Sequence, residues 1–501
     1  MKLFQKLTNP VVLGGLAGLL LMLGSFGGGA IRYRGGVLDT LGLDFFAFGH
    51  AQGISNTVLF VGQLLLIGAW VHLGRRLFKK KAADEAGNDD LGLVKRTLYA
   101  MVVPLIFAAP MMSRDVYSYL MQGAMLRDGF NPYTEGAAVN PGPMLLEVSH
   151  DWRNTTTPYG PLHLWIGEII TSIVGDSVTL GVIVYKFLSI IGLAAIAWSV
   201  IRIAEYFGAS PALALWIGVA NPVMIIHMIG GMHNESLMVG LVSIGLLLVL
   251  RKRYAFGVAL IAVAVALKAT AAIALPFVVW IGMHHFAAYM AKKKGQESPT
   301  LQQQIIAFFA AGAAGVAVTG VVVSVITWLS GASWGWISEI SGNSKVINPL
   351  AFPSLVASMI TMVAEVFVDD FNYNAVVDVV RTVSMVLMLG GLIVCWWLFR
   401  QNERRAVAGT VAAYAVAFVF NSVTLPWYYA SLISLLGTFK PPMWLIRFSA
   451  GASVFIALMF TGSGNHQLYN IATVIISALI AWLATVVIFD DSEKKSLDPV
   501  A

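Results

Sequence analysis

The sequence predicts an all-α polytopic membrane protein. Two observations support that prediction: the composition, and the succession of apolar segments along the chain. Of the 501 residues, 58% are hydrophobic and 12% are charged, whereas soluble domains carry about 25% charged residues. The mean hydropathy is +0.77. Apolar segments follow one another along the whole chain without a long polar linker. We therefore expect a single membrane domain over residues 1–501.

The apolar segments predict about 14 transmembrane helices, several of them short. The first segment, residues 10–30, is too long for a signal peptide and lacks its cleavage pattern, so we expect a retained helix. The next two segments are residues 54–74 and 97–112. The single cysteine, Cys395, lies inside an apolar segment, which excludes a disulfide framework and a cysteine-ligated metal site.

Short clusters of basic residues between the apolar segments set the predicted orientation. By the positive-inside rule these clusters are cytoplasmic, so both termini lie inside and the number of crossings is even. The same placement accounts for the net charge of +6 without any nucleic-acid partner. The residues are Lys2, Lys6, Arg75, Arg76, Lys79 to Lys81, Lys95, Arg96, Arg202, Arg251 to Arg253, Lys292 to Lys294, Arg400, Arg404, Arg405, Lys440, Arg447, Lys494 and Lys495.

This orientation predicts which loops face outward. The main outer loop covers residues 113–177. Within it, residues 160–175 are amphipathic and only about half the length of a comfortable span, so we place them on the membrane surface. A second outer loop covers residues 331–374, where Asp369 and Asp370 are interpreted as solvated loop residues rather than metal ligands.

The densest polar cluster opens the main outer loop. Asp115, Tyr119 and Gln122 fall on one side of a predicted interfacial helix, residues 115–127, which Asp128-Gly129 ends. An aspartate at the mouth of a membrane cavity can act as the general base for a hydroxyl nucleophile. Alternatively, Asp115 caps the helix and the tyrosines belong to an aromatic belt. The local pattern leaves both interpretations open.

Lys268 interrupts an apolar run, residues 255–283, that is too long for one crossing. The run predicts a tight hairpin with Lys268 at its outer tip. A lone lysine in such a run is costly, so a functional role, such as holding a phosphate, is one interpretation. The other is that the side chain snorkels to the lipid headgroups.

Other outer residues can contact a sugar or an acceptor. His233, Asn234 and Glu235 can hydrogen-bond sugar hydroxyls, although Asn234 can instead cap the following helix. Zinc binding is disfavoured because no second ligand pair has suitable spacing. Trp427 and Tyr428 can stack on a sugar, or they belong to the aromatic belt. The acceptor path is predicted along Glu147, His150, Asp151 and His163.

The order of these motifs resembles the polytopic GT-C glycosyltransferases. The motifs are R-D-x-Y-x-Y at 114–119, G-x-N-P-Y at 129–133, P-Y-G-P-L at 158–162, Asn221-Pro222, Gly230 to Glu235, Lys268, and Leu425 to Tyr428. Together they are similar to the actinobacterial polyprenol-phosphomannose-dependent α-(1→6)-mannosyltransferases of lipomannan assembly. One motif departs from that family, because Gly-Met-His-Asn-Glu stands where the family has G-H-N-D.

The resemblance implies a GT-C fold, with the active site in the outer loop of an actinobacterial plasma membrane. It implies Asp115 as catalytic base, polyprenyl-phosphate mannose as donor and a phosphatidylinositol-mannoside-type glycolipid as acceptor. Lys268 and Arg114 are our candidates for the donor phosphate. We expect no metal and no cofactor. The alternatives are a secondary transporter or lipid flippase, and a GT-C enzyme that uses another sugar.

Overall fold

The computed structural model describes residues 9–82, 89–342, 350–369 and 371–493. Several residues used in the predictions above lie outside the described residues, namely Lys2, Lys6, Asp370, Lys494 and Lys495. All regular secondary structure in the described part of the chain is helical. Its one β contact is an isolated bridge between Phe460 and His466. The all-α prediction is confirmed.

The helices are numbered in chain order. Those before residue 220 are α1 Pro10–Gly28, α2 Val37–Thr40, α3 Gly49–Ala82, α4 Asp89–Leu105, α5 Asp115–Arg127, α6 Pro143–Glu147, α7 Pro161–Val174, α8 Val178–Tyr206 and α9 Pro211–Gly218. Those after it are α10 Pro222–Met224, α11 Glu235–Leu250, α12 Tyr254–Leu267, α13 Leu275–Lys293, α14 Leu301–Leu329, α15 Trp336–Gly342, α16 Phe352–Ala364, α17 Tyr373–Leu398, α18 Glu403–Phe420, α19 Ala430–Leu436, α20 Met443–Leu458 and α21 Ile471–Glu493.

Seven helices in the described residues are long and apolar enough to cross a membrane. A bent pair, Pro211–Gly218 with Pro222–Gly230, makes an eighth span if its two parts cross together. Five shorter apolar helices of 10–17 residues accompany them. The chain is therefore polytopic, as predicted, whereas the expected number of about 14 spans is not confirmed.

The chain forms two compact units. The first contains Met1–Thr155, Ile166–Leu237 and Leu436–Ala501, and the second contains Thr156–Trp165 and Met238–Leu435. In the first unit, Trp70 and Trp216 stack with their ring centroids 4.7 Å apart. Each indole N–H donates to the other residue's carbonyl, at 2.9 and 3.0 Å. Both buried donors are thus satisfied, and α3 is fastened to α9.

A similar aromatic pair holds the second unit together. Trp280 of α13 and Trp396 of α17 stack at 4.8 Å, and the Trp280 indole donates to the Trp396 carbonyl at 2.9 Å. Tyr254, which begins α12, donates its hydroxyl to the Ala311 carbonyl of α14 at 2.8 Å. Four helices of the second unit are therefore fixed in pairs, α13 to α17 and α12 to α14, by polar atoms that would otherwise be buried without partners.

Several predicted segments are confirmed closely. Helix α1 occupies the first apolar segment, and α5 has the predicted bounds, Asp115–Arg127. The turn after α5 is Asp128-Gly129, where Gly129 has a φ of 87° and so uses the left-handed region open to glycine. The amphipathic segment forms α7. Gly123 of α5 lies so close to Gly167 of α7 that a Cβ at Gly123 would overlap the Gly167 backbone.

The third predicted helix is partly wrong. Helix α4 ends at Leu105 rather than at residue 112, with Pro104 in its last turn. A proline near a helix end removes one backbone donor, which makes continuation unfavourable. Residues 106–114 consequently run outside any helix and lead into α5. The break predicted at Lys268 is confirmed, because α12 ends at Leu267 and Lys268 is extended before the 3-10 helix Ala269–Ala274.

The predicted orientation can be tested with single cysteines in a Cys395→Ala background. By the positive-inside rule, the loop of residues 462–470 is predicted to face outward, and Ser463 is exposed in it. Lys293 is exposed at a helix end predicted to be cytoplasmic. Ser463→Cys should react with a membrane-impermeant thiol reagent in intact cells. Lys293→Cys, its matched control, should react only after permeabilisation. The reverse pattern would invert the topology.

Candidate active site

Three loops of the first unit meet beside the start of α5. The backbone N–H of Met111 donates to the Gly230 carbonyl at 3.1 Å, and that of Met112 donates to the Gly462 carbonyl at 2.7 Å. Gly464 lies against the backbone of Met112 and Ser113. These contacts bring together three polar motifs that are far apart in the sequence.

Two of these loops contain a strained residue directly before a predicted functional motif. Met112 has a φ of 62° and precedes Ser113, while Met232 has a φ of 54° and precedes His233. A non-glycine residue in this region costs about 1–3 kcal/mol and persists only where the surroundings impose it. Such strain clusters at functional sites, because it aims neighbouring side chains in directions that relaxed backbone would not allow.

Asp115 lies at the centre of this site. Its Oδ2 is 3.3 Å from Nδ1 of His233 and 3.5 Å from the Tyr119 hydroxyl. The Asp115 side chain is 14% exposed, whereas His233 is fully buried. The imidazole of His233 lies at ion-pair distance from the carboxylate and limits where it can turn. A carboxylate that is oriented from behind and reachable from in front suits a general base.

The capping alternative for Asp115 does not fit the helix start. Arg114 occupies the N-cap position, and Asp115 is the first residue inside the helix. The Ser113 hydroxyl accepts a hydrogen bond from the Asp115 backbone N–H at 3.1 Å. The serine beside the helix therefore binds the backbone there, and the Asp115 carboxylate points to His233 and Tyr119.

His233, Asn234 and Glu235 lie at the end of the bent helix pair. The chain passes through a π-helical turn, Ile225–Gly230, before the motif, and such turns often occur at functional sites. All three motif side chains are buried. The structure thus pairs His233 with Asp115, a contact that the sequence did not predict. Binding of sugar hydroxyls by Asn234 and Glu235 stays a prediction.

Arg114 contacts the protein itself. Its guanidinium is 3.2 Å from the Glu147 carboxylate and donates to the backbone carbonyls of Glu147 and Ile31, each at 2.7 Å. It also stacks on Tyr33 and Tyr117, at 4.1 and 4.8 Å from the ring centroids. These contacts explain Arg114 as a structural cation. Its assignment to a donor phosphate stays a prediction.

Glu147 is the buried partner that the sequence did not reveal. Besides Arg114, it lies 3.7 Å from Arg32 and accepts hydrogen bonds from the backbone N–H groups of Tyr33 and Arg34, at 2.8 and 3.3 Å. Its neighbours in the sequence carry no signal of this role. Glu147 therefore has a structural role, which is to anchor residues 31–34. Its place on the acceptor path stays a prediction.

In the second unit, Lys268 is buried rather than snorkelling, with 6% of its surface exposed. Its ammonium lies 4.0 Å from the Tyr428 ring centroid and 5.3 Å from that of Tyr159. A cation held against aromatic faces loses less on leaving water, which makes a buried lysine tolerable. Tyr428 thus acts as a partner of Lys268. The loop that contains Tyr159 is bound beside Lys268 as well, because the Gly160 N–H donates to the Leu267 carbonyl.

The remaining predicted residues lie in separate surroundings. Trp427 is buried and contacts Tyr428 edge-on in the 3-10 helix Pro426–Tyr429. His163, also buried, packs on Tyr159 at 4.4 Å. His150 and Asp151 are exposed in the 3-10 turn His150–Trp152, where the Ser149 hydroxyl donates to Asp151 at 3.4 Å. Roles on a sugar or acceptor stay predictions for all four.

Lys186 was missed by the sequence analysis. It lies within the apolar helix α8, is 3% exposed, and donates to the Ile229 carbonyl at 2.7 Å, just before the His233 motif. The signal that singled out Lys268, a lone lysine in an apolar run, applies to it equally. Among the described residues, no group of three or more His, Cys, Asp or Glu side chains is placed to hold a metal ion.

Comparison with known proteins agrees with these motifs. Residues 11–284 match the family model described as "Alpha-(1->6)-mannopyranosyltransferase, N-terminal domain", and residues 353–490 match "MptB C-terminal domain". The chain is 86% identical to alpha-(1->6)-mannopyranosyltransferase A of Corynebacterium glutamicum over 95% of this chain and 97% of that protein. The protein of the same name from Mycobacterium tuberculosis is 33% identical over 96% and 91%, and alpha-(1->6)-mannopyranosyltransferase B of C. glutamicum is 26% identical over 83% and 70%.

The Glu147 anchor should matter for stability. Glu147→Gln keeps the shape of the side chain and removes the charge that Arg114 pairs with, so it should lower the free energy of unfolding by about 1–3 kcal/mol. Asp176→Asn is the control, because Asp176 is an exposed partner of Arg127 and should contribute less than about 1 kcal/mol. Thermal unfolding in detergent would compare them; equal shifts would contradict the structural role of Glu147.

Proposed function

The chain belongs to the alpha-(1->6)-mannopyranosyltransferase family and is a membrane-embedded α-(1→6)-mannosyltransferase; from this premise we propose that its donor is polyprenyl-phosphate mannose. The acceptor is a phosphatidylinositol-mannoside-type glycolipid, and the products are α-(1→6) links of the lipomannan core. The reaction takes place in a GT-C fold at the outer face of the plasma membrane. The observation that supports the proposal is the carboxylate of Asp115, which lies 3.3 Å from His233 Nδ1 and 3.5 Å from the Tyr119 hydroxyl.

The chemistry of such a donor matches what these residues can supply. A sugar joined to a lipid phosphate carries its own leaving group, so the enzyme needs a base for the acceptor and cations for the departing phosphate. Asp115 takes the proton of the acceptor hydroxyl as its oxygen attacks the anomeric carbon. The bond from that carbon to the phosphate oxygen breaks, and its electron pair leaves with the phosphate. Attack from the opposite face converts a β-linked donor into an α-linked product.

The buried cation Lys268 is our candidate for the donor phosphate. Its ammonium lies against Tyr428 and Tyr159, and a lysine ammonium can neutralise the charge that grows on a leaving phosphate oxygen. Family membership favours this transferase over a secondary transporter or lipid flippase, and mannose over another sugar.

The Asp115–His233 pair gives the sharpest test of the catalytic base. Asp115→Asn keeps the shape and removes the base, so the turnover of mannosyl transfer should fall about 10²- to 10⁴-fold. His233→Ala should also lower turnover, whereas His233→Asn, whose amide nitrogen matches the position of Nδ1, should recover part of the loss.

The two positions should also depend on each other. Once Asp115 is replaced, His233→Ala should have little further effect, because residues that act as a unit are not additive. Asp176→Asn serves as control and should leave turnover close to that of the wild type. Near-normal turnover of Asp115→Asn, or additive losses in the double variant, would refute the assignment.

Lys268 should affect donor binding. Lys268→Ala should raise the Michaelis constant for polyprenyl-phosphate mannose about 10- to 100-fold, because it removes a charged hydrogen-bond donor. Its control, Lys292→Ala, changes an exposed lysine at the end of α13. The assay follows radiolabelled mannose from donor to glycolipid in detergent, where no membrane gradient exists and transport has no meaning. If the folded wild type formed no product there, the transferase proposal would fail.

A further inference from the structure

A cavity of about 710 Å³ lies within the first unit. Its wall combines residues 31–48 between α1 and α3, residues 106–110 after α4, and residues 179–187 at the start of α8. The volume is within the range of about 300–1,000 Å³ that is usual for small-molecule sites. None of the catalytic candidates Asp115, His233 and Lys268 is among its lining residues.

The cavity has an apolar side that opens outward. Phe107 is 69% exposed, and Ile183 and Phe187 are exposed on α8. Because α8 is one of the candidate membrane spans, apolar side chains exposed on its surface face lipid tails rather than water. An acyl chain can therefore enter this side of the cavity directly from the bilayer.

Basic side chains line the cavity as well. The Arg32 guanidinium donates to the Thr179 hydroxyl at 2.7 Å and so lies across the start of α8. Arg34 is exposed at the rim. Buried Lys186 lies two helical turns along α8 from Thr179, about 10 Å further in, and forms no ion pair with any described carboxylate. Its ammonium has three donors, of which Ile229 uses one.

The cavity's charge suits an anionic headgroup. Of the described lining residues, three are basic, and the two acids, Asp39 and Asp44, are exposed on short helices where water can solvate them. The guanidinium groups of Arg32 and Arg34 are at one end and suit a phosphate. The combination of cations at one end and an open apolar wall matches a lipid with a negative head.

We propose that this cavity binds an anionic phospholipid of the surrounding membrane as a resident ligand. The phosphate lies at Arg32 and Arg34, an acyl chain lies along Phe107, Ile183 and Phe187, and Lys186 adds positive charge deeper in. Bulk phospholipid is the occupant because the site opens sideways to the bilayer, where that lipid is far more concentrated than any substrate. This inference is independent of the proposed donor and acceptor.

The bound lipid stabilises the loop behind the active site. Glu147 accepts hydrogen bonds from the backbone of Tyr33 and Arg34 and also pairs with Arg114, the residue before Asp115. Arg32 and Arg34, which hold the lipid phosphate, are thus on the same short segment, residues 31–34, that holds Arg114. Loss of the lipid removes one of the restraints on that segment.

The test measures lipid retention. The full-length protein is reconstituted in phosphatidylcholine nanodiscs that contain a small fraction of phosphatidylglycerol, extracted into mild detergent, and examined by native mass spectrometry. Wild type should retain one phosphatidylglycerol. Arg34→Gln should reduce retention about three- to tenfold, and Ile183→Trp should reduce it by filling the chain path.

Matched controls make the same chemical changes elsewhere. Arg75→Gln alters an exposed arginine near the far end of α3, and Ile191→Trp alters an exposed isoleucine of α8 that does not line the cavity. Both should retain phosphatidylglycerol as the wild type does. Each variant's apparent melting temperature shows that it is folded.

Three results would overturn the proposal. Retention of phosphatidylglycerol by all variants alike would place the lipid elsewhere, and its absence from the wild type would show that the cavity holds no anionic phospholipid. Displacement of phosphatidylglycerol by an equal amount of a polyprenyl phosphate would assign the cavity to substrate. None of these readouts uses mannosyl transfer, so their outcome is separate from that of the proposed function.

Discussion

The active site depends on two backbone hydrogen bonds that Met111 and Met112 donate to Gly230 and Gly462. They hold the segment before α5 against two other loops, and Met112 adopts a strained φ of 62° while making its bond. Without this junction, Asp115 would have no fixed relation to His233, because Asp115 begins α5 whereas His233 lies in the loop before α11, far along the sequence. Strain of about 1–3 kcal/mol per residue is the energetic cost of that placement.

Buried charge is the second constraint on this molecule, and each buried ion is handled differently. Glu147 and Arg114 neutralise one another and use their remaining hydrogen-bonding capacity on backbone groups. Lys268 lies against two tyrosine rings. Lys186 donates a hydrogen bond to one backbone carbonyl, that of Ile229, and lines the cavity. Arg114 is explained by these structural contacts alone, whereas a buried lysine in an apolar segment is the kind of ion that membrane proteins retain for binding.

The same distinction separates two roles within the main outer loop. Adjacent residues Arg114 and Asp115 differ in direction: one is turned to Glu147 and the residues 31–34, and the other to His233 and Tyr119. Arg114 thus fastens the start of α5 to the N-terminal part of the chain, while the Asp115 side chain stays 14% exposed. Alternation of a structural and a chemical residue at a helix start lets one short segment supply both rigidity and reactivity.

The sequence by itself determined the class of the protein, the bounds of α5 and the break in the apolar run at Lys268. These follow from apolar length, helical periodicity and turn residues, which act over a few neighbouring positions. It could not determine that His233 lies against Asp115, that Tyr428 faces Lys268, that Arg114 pairs with Glu147, or how many of the apolar segments are long enough to span a membrane. Each of those depends on which distant segments pack together and where a proline such as Pro104 ends a helix. Such pairings are decided by tertiary packing, because the residues involved carry no mark of their partner in their own surroundings.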